Sequence, residues 1–357
     1  MTFSIINSER FRLRPRRYAA AAIVIGFAGL LAVMAANVLI DPQGVFGTGL
    51  FGPVMDPNLR YMELKAYEAA PAGYDGLMFS SSRGGAFDGQ TLAKWLGVHA
   101  VAKFSMQAGQ MTDYLPILQY ILRDRTKAGT HVAAIFLLLD ADWFGTRPWT
   151  NNDVDSFLPP ELSNESAVRF WWRYLTVFQL KMWRSYISRA LASRLSDAAT
   201  LPAFRPPIVT AALAASSPPP VAAARLPGAV SAADQQADGP RIRPDLAGQL
   251  DLFKRFVTLC RENRIRLIVA FSPLNAQSGF AGDPQMPQNQ RVVRMVARIF
   301  PVWDFDRPAW LSARPDLWID VSHFKSAVAD MMMKRIFEGE AGVPGDFGRL
   351  VFTANGG

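Results

Sequence analysis

The sequence predicts an α/β protein in three layers, a parallel sheet covered on both faces by helices, preceded by one membrane-spanning helix. Two observations carry this reading. From residue 74 onward short apolar runs alternate with helical patterns, and residues 18–40 form an uncharged apolar run. Composition agrees: half of the 357 residues are hydrophobic and 19% are charged, which excludes wholesale disorder and supplies a sizeable core.

The apolar run, YAAAAIVIGFAGLLAVMAANVLI, has 23 residues, and a helix rising about 1.5 Å per residue needs about 20 to cross the hydrocarbon. Residues 1–17 before it carry Arg10, Arg12, Arg14, Arg16 and Arg17 against Glu9 alone, whereas the following stretch opens with Asp41. The bias of basic residues towards the cytoplasm therefore puts the N-terminus inside and the bulk of the chain outside. A cleaved signal peptide competes, with Val33-Met34-Ala35 as a tolerable cleavage site, but the run exceeds the usual h-region of about 7 to 15 residues. Net of Glu9, the same arginines supply half of the formal charge of +8. That excess is a local patch, so no nucleic-acid partner is expected.

Strands are expected at 75–80, 100–104, 132–139, 265–271 and 301–305, with helices near 88–96, 110–126, 246–263, 287–299 and 323–338. Right-handed crossovers would wind them into one domain over 74–342, joined to the apolar helix by a juxtamembrane segment at 41–73 and followed by a tail at 343–357. Residues 201–245, alanine-rich with Ser-Ser-Pro-Pro-Pro at 216–220, read as a low-complexity insertion within that domain. Residues 165–195 form one long helical pattern rich in aromatics and arginine. It either covers the sheet or site entrance, or lays Phe170, Trp171, Tyr174, Phe178 and Trp183 on a bilayer with Arg169, Arg173 and Arg184 reaching lipid phosphates. The single cysteine, Cys260, sits in FVTLCRENR and reads as a core residue.

Chemistry concentrates in YDGLMFSSSRGGAF, residues 74–87, where a buried strand ends in three serines, an arginine and two glycines. Small residues permit a tight strand-to-helix turn that lifts a hydroxyl above the carboxyl edge of the sheet, where open α/β folds place ligands. Such a serine needs a base. Of three histidines, His99 and His131 precede strands and belong to the opposite edge. His323 follows the last strand in LWIDVSHFKS, with Asp320 three residues before it. That spacing suits a carboxylate orienting an imidazole, and equally suits Asp320 or Ser322 capping the following helix.

At these residues the sequence resembles the SGNH/GDSL hydrolase superfamily, specifically its membrane-anchored bacterial branch related to the alginate O-acetyltransferase proteins. In that branch an anchor is followed by a polar, basic stretch, here with Asn58, Arg60 and Lys65, then by a strand ending Gly-Ser-Ser-Arg. The resemblance puts Ser80 at the family's glycine, Ser81 at the position often filled by aspartate, Ser82 at the nucleophile and Arg83 after it. Asp320 and His323 match the family's Asp-x-x-His, and VAFSPLNA at 269–276 resembles the strand before it. It implies a catalytic triad of Ser82, Asp320 and His323 on an SGNH-type α/β/α fold. An oxyanion would be held by the backbone amides of Ser82 and of Ser105, the positional match in AKFSMQAGQ, or Gly109, the chemical one. Ser81, Arg83 and Asp140 would line the site.

The third family block departs from the pattern, because Asp140 in LLLDADWFG stands where the family has an asparagine donor. An ionised carboxylate cannot donate a hydrogen bond and would repel an oxyanion. Asp140 and Asp142 are too few ligands for a metal site, and no cofactor is expected; phosphate-loop, dinucleotide and zinc motifs are absent from the sequence. The expected protein is a single-pass bacterial inner-membrane esterase or O-acetyltransferase with its domain in the periplasm. Its partners would be an envelope or exported polysaccharide and the complex that makes or exports it. Two alternatives remain open: a catalytically inactive glycan-binding or assembly subunit, and a lipid esterase.

Overall fold

The computed structural model describes residues 15–48, 57–146, 157–163, 165–196, 243–275, 285–343 and 345–352. The arginines at 10, 12 and 14, the low-complexity insertion up to residue 242 and the last residues of the tail lie outside the described residues. The chain divides into two compact units, one of residues 1–57 with 165–206 and one of residues 58–164 with 207–357.

In the first unit the apolar run forms helix α1, Pro15–Ile40, which from Arg17 onward is long and apolar enough to cross a membrane. The expected long helix at 165–195 is instead two helices, α5 (Ala167–Thr176) and α6 (Leu180–Ser196). Ser166 caps α5 by accepting the Arg169 amide at 3.2 Å. The break follows from Asn37 on α1. Its side-chain amide donates to the Leu175 carbonyl at 3.0 Å and the Val177 carbonyl at 2.8 Å, satisfying acceptors that a continuous helix would use itself. The Trp183 indole donates back to the Asn37 side-chain oxygen at 3.0 Å, and the Tyr186 hydroxyl to the Pro42 carbonyl at 3.0 Å.

In the second unit the elements are α2 (Leu59–Ala69), β1 (Gly76–Ser81), α3 (Gly89–Leu96), β2 (Val101–Met106), α4 (Met111–Ala128), β3 (Ala134–Leu139), α7 (Leu246–Glu262), β4 (Arg266–Phe271), α8 (Gln285–Ala297), β5 (Val302–Asp304), α9 (Ser326–Glu338) and β6 (Arg349–Val351). The six strands make one sheet in the order β2-β1-β3-β4-β5-β6. The first five run parallel, and the central pair β1 and β3 is buried along its whole length. The expectation of a wholly parallel sheet is corrected at the edge, where β6 pairs antiparallel with β5 and makes the sheet mixed.

Alternate strand residues feed two apolar clusters. Leu77, Phe79, Ile135 and Leu137 pack with Tyr114, Leu118, Phe253 and Phe256, while Met78, Phe136 and Leu138 pack with Leu92, Leu96, Val328 and Met332. Cys260 is buried in the first cluster, and burial pushes its thiol up to about 12, so it stays protonated. The chain leaves β1 for β2 on one side and returns to β3 on the other. The crevice between the carboxyl ends of β1 and β3 is therefore the switch point at which open sheets place ligands.

The antiparallel edge depends on Gly348, which holds φ +73° where a Cβ would overlap the Phe305 ring, itself buried. Gly348→Ala combines left-handed strain with overpacking. It is expected to destabilise the second unit by about 1–3 kcal/mol, read as a lowered urea midpoint at unchanged slope.

Candidate active site

β1 ends at Ser81, whose hydroxyl accepts the Arg83 amide at 3.2 Å and so caps a 3-10 turn over Ser82–Ala86. The turn is tight because Gly84 lies flat against Ser80; a Cβ there would overlap the Ser80 hydroxyl. Ser80 is fully buried and donates to the Ser105 hydroxyl at 2.9 Å, tying β1 to β2 beneath the turn. Ser82 is thereby lifted to the first position of the turn, half-buried at the carboxyl edge.

His323 arrives from the far end of the chain on a loop held at both ends. Trp318 and Phe324, both buried, form an antiparallel bridge, and the Trp318 indole donates to the Leu311 carbonyl at 3.1 Å. Within this loop one Asp320 carboxylate oxygen accepts the Ser322 amide at 2.7 Å and the His323 amide at 2.8 Å. The other lies 2.8 Å from His323 Nδ1. Asp320 thus both folds the loop and orients the ring. It does not cap the helix, since α9 begins only at Ser326 and its first residues take no side-chain cap.

The structure brings Ser82 and His323 together across 241 positions of sequence, with 2.9 Å between Oγ and Nε2. Burial works to raise the Asp320 carboxyl, but the His323 ring, the two amides and the ring's charge outweigh it and hold it at about 2. An ionised carboxylate only accepts, so Nδ1 carries the ring proton; in the neutral imidazole Nε2 is then the acceptor that faces the Ser82 hydroxyl.

Arg83, 5% exposed, points the other way from the same turn. Its guanidinium donates to both Asp142 oxygens at 2.9 and 2.8 Å, to the Ser272 hydroxyl at 2.9 Å and twice to the Ser322 hydroxyl at 3.2 and 3.0 Å. Asp140 lies 3.3 Å away and accepts the Ser272 hydroxyl at 2.6 Å. Burial opposes the Arg83 charge, yet Asp140 and Asp142 more than offset it and hold its pKa above the ordinary value. Asp140 is therefore engaged by Arg83 and the Ser272 hydroxyl, in a cluster of one cation and two carboxylates. Asp306, fully buried and without a side-chain hydrogen bond among the described residues, has its carboxyl pushed well up by burial and by the nearby charges of Asp142 and Asp304.

Two of the three expected oxyanion donors are engaged elsewhere. The Ser105 amide donates to the Glu63 carboxyl at 2.7 Å, and the Gly109 amide to the Met106 carbonyl at 3.0 Å. The Ser82 amide opens the 3-10 turn, and the turn offers it no carbonyl. Glu63 escaped sequence reading because it lies on α2, a short helix with no strong apolar pattern; burial of its carboxyl pushes it up to about 8 against the pull of the Ser105 amide and Lys103. The polar residues before β1 fasten this helix. Asn58 caps it by accepting the Tyr61 amide, Arg60 pairs with Asp113 at 2.7 Å, and Lys65 pairs with Glu68 and Glu161. His99 and His131 precede β2 and β3, so they stand at the amino edge, away from Ser82.

No family model matches the chain, and no curated protein does.

Removing the guanidinium while leaving its carboxylates strands buried charge. Arg83→Ala is expected to lower unfolding free energy by about 3–5 kcal/mol, and adding Asp140→Asn and Asp142→Asn to restore part of it in chemical denaturation. Asp320 has a depressed folded-state pKa, so its stabilising contribution is full above the ordinary carboxyl value and is lost as pH falls through about 2. The stability difference between the native chain and Asp320→Asn should accordingly shrink between about pH 4 and pH 2, measured by urea melts across that range.

Proposed function

We propose that the chain is a membrane-anchored serine enzyme of the SGNH type, with a three-layer α/β/α domain that hydrolyses or transfers acyl esters, O-acetyl groups above all, on an envelope or exported polysaccharide. The observation that carries the reading is the hydrogen-bonded series Ser82 Oγ, His323 Nε2, His323 Nδ1, Asp320 Oδ2, with steps of 2.9 and 2.8 Å. These are the contacts nucleophilic acyl transfer requires.

In this mechanism Ser82 Oγ attacks the ester carbonyl as its proton passes to His323 Nε2. Asp320 stabilises the resulting imidazolium, and the Ser82 amide donates to the oxyanion. Collapse of the tetrahedral intermediate breaks the ester C–O bond, the departing alcohol takes the proton from Nε2, and the acyl group remains on Ser82. Water then makes the protein an esterase, and a sugar hydroxyl makes it an O-acyltransferase. The glycan and the acetyl group enter through the family resemblance of the Ser82 and Asp320–His323 segments. α1 would anchor the chain in a bacterial inner membrane, with residues 1–17 in the cytoplasm and the second unit in the periplasm beside a polysaccharide synthesis or export complex.

One observation favours a second reading, a non-catalytic glycan-binding or assembly subunit. With the Ser105 and Gly109 amides engaged, the oxyanion has one backbone donor, and loss of a donor costs about 100- to 1,000-fold in turnover.

A fluorophosphonate probe separates the two. The native chain is expected to be labelled and to cleave aryl acetates, Ser82→Ala to do neither, and His323→Ala and Asp320→Asn to lose about 10⁴-fold in kcat. A folded native chain that takes up no probe would sink the enzymatic reading and leave the binding subunit.

A further inference from the structure

Helix α5 is apolar on two opposite sides. Phe170 and Tyr174 are buried, but Val168 and Trp172, which stand about 120–160° away from them around a 3.6-residue helix, are 78% and 53% exposed. The connection and the next helix continue this, with Phe178 65%, Leu180 58% and Ile187 40% exposed. A helix pair facing water would carry polar residues there. Exposed cations, Arg169, Lys181 and Arg184, lie among these positions.

The pair is fixed to α1 at a definite height. From Arg17 to Asn37 the helix rises about 30 Å, the thickness of a bilayer's hydrocarbon. At Asn37 the carbonyls of Leu175 and Val177 and the Trp183 indole are hydrogen-bonded to α1, and just beyond it Gln43 donates to Gln179 at 2.8 Å and Pro42 accepts from Tyr186. The connection between α5 and α6 therefore stands where a spanning α1 would leave the hydrocarbon. Aromatic rings and long basic side chains concentrate at that level in membrane proteins.

We infer that α5 and α6 form an interfacial hairpin seated in the leaflet from which α1 emerges, with Val168, Trp172, Phe178, Leu180 and Ile187 among the upper acyl chains and Arg169, Lys181 and Arg184 on phospholipid phosphates. The inference rests on the reading of α1 as a membrane span. The occupant of the apolar surface is phospholipid, because the pair is hydrogen-bonded to the end of α1, a helix that is itself apolar and exposed along its length, with Ile23, Ile25 and Leu31 70%, 72% and 48% exposed.

The test is depth measurement on the full chain in vesicles of phosphatidylethanolamine and phosphatidylglycerol. Single substitutions Ile25→Cys, Val168→Cys, Trp172→Cys, Phe178→Cys, Leu180→Cys, Ile187→Cys and Glu262→Cys each receive a spin label; Cys260, 1% exposed, does not compete for it. Collisions with oxygen, which partitions into lipid, are compared with collisions with a water-soluble nickel chelate. The expected result is a high oxygen-to-nickel ratio at Ile25→Cys, an intermediate one at the five hairpin positions and a low one at Glu262→Cys. A high ratio at Ile25→Cys with hairpin ratios as low as the Glu262→Cys control would overturn the hairpin inference alone. Hairpin labels shielded from both reagents would overturn it in favour of a protein partner. A low ratio at Ile25→Cys itself would remove the membrane span and the hairpin inference with it, leaving the Ser82 chemistry untouched.

Discussion

Arg83 carries a charge into a place nearly closed to water, and the need to neutralise it there orders the carboxyl edge of the sheet. Its partners come from separate places in the sequence: Asp140 and Asp142 from the segment after β3, Ser272 from the end of β4, and Ser322 from the loop after β5. A buried ion pair is weak evidence of net stability, since desolvation offsets much of the attraction. Its effect here is geometric. The guanidinium leaves from the residue after Ser82 and ends on the residue before His323, so the two groups that meet at 2.9 Å are each one residue from a shared anchor.

Asp320 shows how few residues such a loop needs. One carboxylate closes the turn through two amides and fixes the ring through Nδ1, so folding the loop and choosing the tautomer are the same event. The sequence spacing had left capping and orientation as alternatives. Orientation is the outcome: α9 takes no side-chain cap, and the second Asp320 oxygen closes the loop before it instead.

Five strands and the helices that follow them were legible, though α2 was not, because buried parallel strands read as apolar runs and the helices between them as amphipathic patterns. The serine turn and the Asp-x-x-His segment were legible as short local words. What escaped depends on contacts distant in sequence. β6 is three residues long with Arg349 and Leu350 exposed, and has no signal apart from its pairing with β5. The break between α5 and α6 depends on Asn37, more than 130 residues earlier. The Arg83 cluster and the capture of the Ser105 amide by Glu63 likewise join residues that no pattern within one element connects.

The stack of Ser80 beneath Gly84 limits how this turn tolerates change. Ser80 carries a hydroxymethyl group into this turn, and the bare α-carbon at 84 is what makes room for it. The two positions share the volume of a single small side chain. The constraint runs one way: a Cβ at 84 would lie 2.5 Å from the Ser80 Cβ, so position 84 can gain a side chain only where position 80 has lost its own.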